Sequence, residues 1–292
     1  MNLKDKSVVI TGATAGIGYQ TALDFARAGS FVIGVGRNPQ RCEDARQKIM
    51  QAVPHARIVF LTADLASQRQ VRSLAGEIER TIIDQKLKCL DVLVNNAGVY
   101  MGKKQFTEDG IETTFAVNHL APFLLTHLLL LQLEKSDSGR VITISSDSHY
   151  NTWFIPERAK NPTVFFGLTA YKVSKLSNVL FSLEFNHRHQ NTSVHAFAVD
   201  PGLVNTEIGM KDTGGLAKLV WRGRKNLGVL PEVPAKTILF LAAEDEVVHS
   251  PAVYWHECKP KQPSRAAGNE SLARRLWNES SKRTGLDKTI GE

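Results

Sequence analysis

Tyr171 and Lys175 stand four residues apart in AYKVSKLSNVL, and Ser146 closes the run RVITISS upstream. On a helix, residues four apart share a face, so this spacing stacks a phenol beside an ammonium. A fixed positive charge there stabilises the phenolate and brings its proton toward neutral-pH chemistry. With a hydroxyl at a nearby strand end, the three would form a general acid/base group. The same pair also suits an ordinary amphipathic helix, so the chemistry depends on the elements that position it.

Those elements can be read along the 292 residues. SVVITGA (7–13), FVIGVG (31–36), ARIVFLTA (56–63), LDVLVNNA (90–97), RVITISS (140–146), SVHAFAVD (193–200) and PAVYWHE (251–257) are short runs rich in Val, Ile and aromatics. Near-continuous apolarity marks strands covered on both faces, which predicts a mostly parallel sheet of about seven strands. Helical patterns lie between them at 17–28, 39–52, 67–85, 108–133, 170–189 and 232–243; in the third, Val71, Leu74, Ala75, Ile78 and Ile82 recur at the helical period. The alternation, with no linker composition, predicts a single α/β domain over 1–292 with a doubly wound, Rossmann-type sheet and ligands beyond the carboxyl ends of its strands. Every polar motif discussed here falls at such an end.

TGATAGIG follows the first strand and opens the first helix. Gly12, Gly16 and Gly18, with Thr14, Ala15 and Ile17 between them, stand where a backbone turns tightly, approaches a pyrophosphate and packs on the sheet. The strand, turn and helix context is that of a dinucleotide site, with G-x-x-x-G-x-G spacing. At the end of the second strand an acid would receive ribose hydroxyls; here Gly36 is followed by Arg37, which favours a 2'-phosphate and hence NADP(H) over NAD(H) unless Arg37 only faces solvent. Asp64 is placed for the adenine amino group with Leu65 beside it, or for an N-cap. Asn95, Ala97 and Gly98 of NNAG line the ribose or make the turn.

TGATAGIG, NNAG, the Asn118 segment FAVNHLAPF, the Ser146 strand, Y-x-x-x-K and DPG at 200–202 come in an order that resembles the short-chain dehydrogenase/reductase family over roughly residues 5–257. SSDSH before a long excursion to Tyr171, and YWHECKPKQPS near the end, are similar to the retinol dehydrogenase and WW-domain oxidoreductase branch. The resemblance implies that Tyr171 exchanges a proton with a carbonyl or hydroxyl oxygen while a nicotinamide exchanges hydride with the carbon. It implies that Lys175 holds the nicotinamide ribose and depresses the phenol's pKa, that Ser146 hydrogen-bonds the reacting oxygen, and that Asn118 anchors a water chain to Lys175. Pro201, Gly202, Val204 and Thr206 would hold the carboxamide. Ser145 rivals Ser146, since alternation lets only one face the site. Asn118 could instead kink a helix, and His149 could touch substrate or act as a structural hydrogen bonder.

The segment 207–231 is expected to be a substrate lid, with Ile208, Met210, Leu216, Leu219, Val220 and Trp221 apolar; Tyr150, Trp153, Phe154, Phe165 and Phe166 would add an aromatic wall. Such a pocket prefers a lipophilic aldehyde, ketone or alcohol. The histidines form no metal-ligand spacing, so no metal is expected. The formal charge of +7 is spread along the chain without an aromatic-basic module, which argues against nucleic acid. Three scattered cysteines fit a reducing cytoplasm, and the start is expected to carry neither a signal peptide nor a transmembrane anchor, with peripheral membrane association left open. The basic tail, about 258–292, is open to a role in docking a partner helix or lipid, and a non-catalytic NADP(H)-sensing protein is the rival class. The resemblance implies pairing of helices 108–133 and 170–189 in a homodimer or homotetramer, which the residues themselves leave open.

Overall fold

The apolar runs form strands that order as β3-β2-β1-β4-β5-β6-β7-β8 in one sheet. In the computed structural model, which describes residues 2–204 and 228–287, these are β1 (Ser7–Thr11), β2 (Phe31–Gly36), β3 (Arg57–Thr62), β4 (Val92–Asn95), β5 (Gly139–Ile144), β6 (Val194–Val199), β7 (Tyr254–His256) and β8 (Lys259–Pro260). All neighbouring pairs are parallel except β7 and β8. The two-residue β8 extends the expected sheet of about seven strands to eight. Beyond β7 the chain reverses through Glu257 and Cys258, both at positive φ, and returns antiparallel.

Alternate residues along each strand enter two different cores, as the pleat requires. Val9, Ile33, Leu93, Val141 and Ala196 face α3 (Gln68–Asp84), α4 (Ala121–Leu128) and α5 (Gly167–Arg188). Val8, Val32, Val92, Ile142 and Phe197 face α1 (Gly16–Arg27) and α6 (Glu232–Ala243). α2 (Pro39–Ala52) lies between β2 and β3 in the chain and is capped by Asn38, whose side chain accepts from the Arg41 N–H.

The pattern at 108–133 was expected as one helix and is not. A short helix at Thr113–Phe115 passes into a π-helical turn, Ala116–Leu120, then α4, then Leu130–Glu134. Pro122 sits in the first turn of α4, where its missing N–H is harmless. The wider turn before it carries Asn118 at its centre, and such bulges recur at functional sites.

The tail beyond 258, for which no helix was expected, forms α7 (Glu270–Thr284). Asn269 caps it by accepting from the Leu272 N–H, and Gly285 ends it at φ 68°. Trp277 lies stacked on Phe181 at 5.9 Å and edge-on to Phe123 at 5.1 Å, with the Arg188 guanidinium 4.8 Å from its ring. The α7 helix therefore packs on α4 and α5, which belong to the helices for which pairing between subunits is implied. No described helix is long and apolar enough to cross a membrane.

Candidate active site

The glycine turn is set by sterics. Gly12 has φ 68°, and a Cβ there would lie 3.0 Å from the Ala97 Cα. At Gly18 a Cβ would stand 2.3 Å from the Gly12 carbonyl oxygen, so the turn and the helix meet without room for a side chain. Ala15 precedes α1 with no side-chain cap, which leaves first-turn amides to other acceptors. Thr14 reaches the end of β2, since a Cβ on Gly36 would meet its Cγ2 at 2.6 Å. Ile17 is buried in the core, so only its backbone faces the turn. Arg37 is exposed immediately beyond Gly36.

NNAG divides in a way the sequence did not indicate. Asn95 is buried and donates to the Thr126 hydroxyl at 3.1 Å, so its amide is turned into the α4 packing and away from a ribose position. Asn96, not singled out from the sequence, donates to the Thr11 carbonyl at 2.8 Å and clips the glycine turn to β4. The Ala97 N–H donates to the Thr11 hydroxyl at 3.1 Å. A Cβ on Gly98 would lie 3.4 Å from Asn118 Oδ1 and 3.7 Å from Lys175 Nζ, which places this loop against the chemistry-bearing group. Asp64 accepts from the Ala66 N–H at 3.0 Å, and the α3 N-cap is Ser67, so the alternative of Asp64 as N-cap is set aside. Leu65 is half-buried and packs on the core.

Ser146, Tyr171 and Lys175 come together where β5 ends and α5 begins. Ser145 is buried and donates to the Lys175 carbonyl at 2.8 Å. Ser146 is half-exposed and acts on the Tyr171 phenol to lower its pKa, whereas Ser145 is committed to the Lys175 carbonyl, which decides between the two serines. Lys175, 4% exposed, donates to the Ile144 carbonyl at 2.9 Å, with its ammonium 5.5 Å from the centre of the Tyr171 ring. Asn118 accepts from the Val99 N–H at 2.7 Å and donates to the Val99 carbonyl at 2.9 Å and the Ser174 hydroxyl at 3.0 Å. It thereby ties the loop after β4 to α5.

One expectation reverses here. Burial pushes Tyr171 up to about 12, with the Ser146 hydrogen bond opposing and the Asp200 charge assisting. Burial also pushes Lys175 down to about 8. Low surrounding polarity disfavours the charged form of each group, and that outweighs the attraction expected between them. The pair rests as neutral phenol and readily titrated ammonium, so each can exchange a proton.

DPG holds its shape through Asp200, whose carboxylate accepts from the Gly202 N–H at 3.0 Å while Gly202 adopts φ 70°. Val204 bridges to Val229. Thr206 and the lid residues Ile208, Met210, Leu216, Leu219, Val220 and Trp221 lie outside the described residues. His149 is fully buried between the Ser146 carbonyl, 2.7 Å from Nδ1, and the Ser264 N–H, which donates to Nε2 at 3.2 Å. It is a structural hydrogen bonder turned toward the tail. Of the aromatic wall, Phe154 belongs to the core, whereas Trp153 and Phe166 are exposed. Among the described residues, no group of three or more His, Cys, Asp or Glu could hold a metal ion.

A parallel sheet in this order, with a glycine turn after β1 and a Tyr, Lys and Ser group at the end of β5, defines the doubly wound α/β class whose ligands lie at the carboxyl ends of the strands. The family model described as short chain dehydrogenase matches residues 6–215, and the chain belongs to that family of oxidoreductases acting on CH–OH and C=O groups. It is similar to retinol dehydrogenase 13 of Homo sapiens, at 36% identity over 97% of this chain and 85% of that protein. It is also similar to polyprenol dehydrogenase of Homo sapiens, at 34% identity over 98% of this chain and 87% of that protein. The crystal structure of an uncharacterised protein from Mycobacterium paratuberculosis aligns with a TM-score of 0.74 at 27% identity, covering 97% of this chain and 95% of that one.

Proposed function

We propose that the chain is an NADP(H)-dependent oxidoreductase that interconverts a lipophilic aldehyde or ketone and its alcohol. The observation that carries this reading is the Lys175 ammonium 5.5 Å from the centre of the Tyr171 ring, with Ser146 lowering the phenol's pKa, at the same carboxyl end of the sheet as the glycine turn. The turn fits a dinucleotide: Gly12 and Gly18 admit no Cβ, so bare backbone forms the turn, and the opening of α1 has no side-chain cap.

The backbone of Gly12 to Gly18, including Thr14, Ala15, Gly16 and Ile17, would hold the pyrophosphate. Arg37 would take the 2'-phosphate in a bidentate contact, with no acid at the end of β2 to repel it. Asp64 and Leu65 would border the adenine, Ala97 and Gly98 the ribose, and Pro201, Gly202, Val204 and Thr206 the carboxamide. When bound, the nicotinamide supplies or accepts hydride at the substrate carbon. Tyr171 gives its hydroxyl proton to the carbonyl oxygen in reduction and takes it back in oxidation. Ser146 donates to the same oxygen and stabilises charge developing there. Lys175, poised near neutrality, passes a proton toward Tyr171, and Asn118 holds the adjoining loop in place.

Exposed Trp153 and Phe166, in the stretch of chain between Ser146 and Tyr171, support an apolar substrate. A retinol or retinal-type activity is the second reading, favoured by the names of the relatives, retinol dehydrogenase 13 and polyprenol dehydrogenase. The test is a panel of aldehydes, ketones and alcohols with each of the two nicotinamide cofactors, run on wild type and Tyr171→Phe. NADP(H)-dependent turnover lost in the variant is expected; turnover that survives on every active substrate refutes the assigned proton donor.

A further inference from the structure

Lys261 follows β8 directly, and its ammonium lies 2.6 Å from Asp147 Oδ1 and 2.6 Å from Asp200 Oδ2. Asp147 is the residue after Ser146, and Asp200 is the residue before Pro201. One cation from the tail therefore joins the exits of β5 and β6, the two strand ends that border the crevice. Its backbone is fixed by a bond from the Lys261 N–H to the Tyr254 carbonyl at 2.8 Å. The reversal that brings it there holds Glu257 at φ 46° and Cys258 at φ 61°. Left-handed geometry costs a side-chain-bearing residue roughly 1–2 kcal/mol, so contacts made after the turn must offset it. Adjacent residues extend the strap: the Tyr150 hydroxyl donates to the Gln262 carbonyl, and the Ser264 N–H donates to His149, which holds the Ser146 carbonyl.

We propose that Lys261 is a positioning residue for the active site, its ammonium holding the Ser146 and Pro201 segments together and keeping Asp200 paired, so that Ser146 stays on the Tyr171 hydroxyl. This rests on the roles proposed above for Tyr171 and Ser146. Asp200 is 1% exposed and is faced by Lys261, Asp147, Tyr254 and His256, the last with Nδ1 3.5 Å from Oδ2. Tyr171 is faced by Ser146, Lys175, Tyr100 and the Asp200 charge. Removing the ammonium leaves a buried carboxylate with weaker compensation. Ser146 lowers the Tyr171 pKa and Asp200 raises it, so losing Lys261 weakens the first influence and strengthens the second. Both changes move the phenol upward. A residue that merely stabilised the fold would leave the Tyr171 titration where it was.

The experiment compares wild type, Lys261→Met and Asp147→Asn by steady-state kinetics and by ultraviolet phenolate titration. Tyr171 is isolated as the absorbance that Tyr171→Phe removes in each background. For Lys261→Met, kcat/KM is expected to fall about 10- to 100-fold, the penalty of a displacement near 1 Å in a reacting site. Tyr171 is expected to titrate higher than in wild type. An unchanged Tyr171 titration in Lys261→Met overturns the proposal, whatever happens to the rate. If that variant does not fold, Asp147→Asn decides, because its carboxylate is 56% exposed: slower turnover with a raised Tyr171 supports the strap, and wild-type behaviour in both overturns it. Full activity in Tyr171→Phe would instead remove the catalytic roles, and the titration would still measure the strap independently.

Discussion

Replacing Lys175 with Met should make the protein more stable and less active. Lys175 is 4% exposed, and burial lowers its pKa from the ordinary 10.5 to about 8. At about 1.4 kcal/mol per pH unit, that fall corresponds to about 3 kcal/mol of disfavoured charge in the folded state. Between pH 8 and 10.5 the unfolded chain holds the proton and the folded chain has released it, so this residue makes stability rise with pH across that window. Below about pH 8 both states carry the proton and the full penalty is present. Met keeps the apolar stem, and the Ile144 carbonyl keeps its bond from Asn178 at 3.0 Å, so no acceptor is orphaned. Urea unfolding at pH 7 should show Lys175→Met more stable than wild type by about 3 kcal/mol. The difference should shrink as pH rises toward 10.5, while turnover is lost at every pH. A variant that is less stable at pH 7, or a difference that does not change with pH, refutes the reasoning.

Three further outcomes are expected. Arg37→Asp should turn cofactor preference from NADP(H) toward NAD(H), read as the ratio of kcat/KM values for the two; an unchanged ratio counts against the phosphate contact. His119 is pushed down to about 3 by burial and His127 to about 4, so the unfolded chain protonates them first and stability falls as pH drops from about 6.5. Denaturation followed by circular dichroism should show that slope flattened in His119→Gln if this residue contributes as its burial requires. Trp277→Ala should cost about 3–5 kcal/mol by emptying the aromatic stack on Phe181 and Phe123, and size-exclusion chromatography should show association through the uncovered faces of α4 and α5; a monodisperse variant of unchanged stability would argue against that packing.

The branches of the site that were legible in sequence are those built from neighbouring residues. Gly12 and Gly18 are dictated by a turn with no room for a Cβ and Gly16 by its φ of 55°, and the turn lies within eight residues of chain. Tyr171 and Lys175 share a helix face because their spacing matches its period. The strands were legible because burial on both faces leaves an unbroken apolar run, although the wide turn around Asn118 was hidden inside a pattern that also suits one continuous helix. The α7 helix carried its own signals in Asn269 and Gly285, which were there to be used.

Other features depend on residues far apart in the chain. Whether Ser145 or Ser146 faces Tyr171 follows from which side of β5 is covered by α5, and the orientation of Asn95 follows from Thr126 across the packing. The sign of the Tyr171 shift was beyond a sequence argument because desolvation is a property of everything around a group, whereas a spacing of four residues reports a single neighbour. Lys261 meets Asp147 and Asp200 across 114 and 61 residues of chain. Local chemistry alone determined the turn, the periodicity and the candidate proton donor. Only the folded chain decided which charges are paired and which groups lose their water, because both depend on distances through space that no local pattern records.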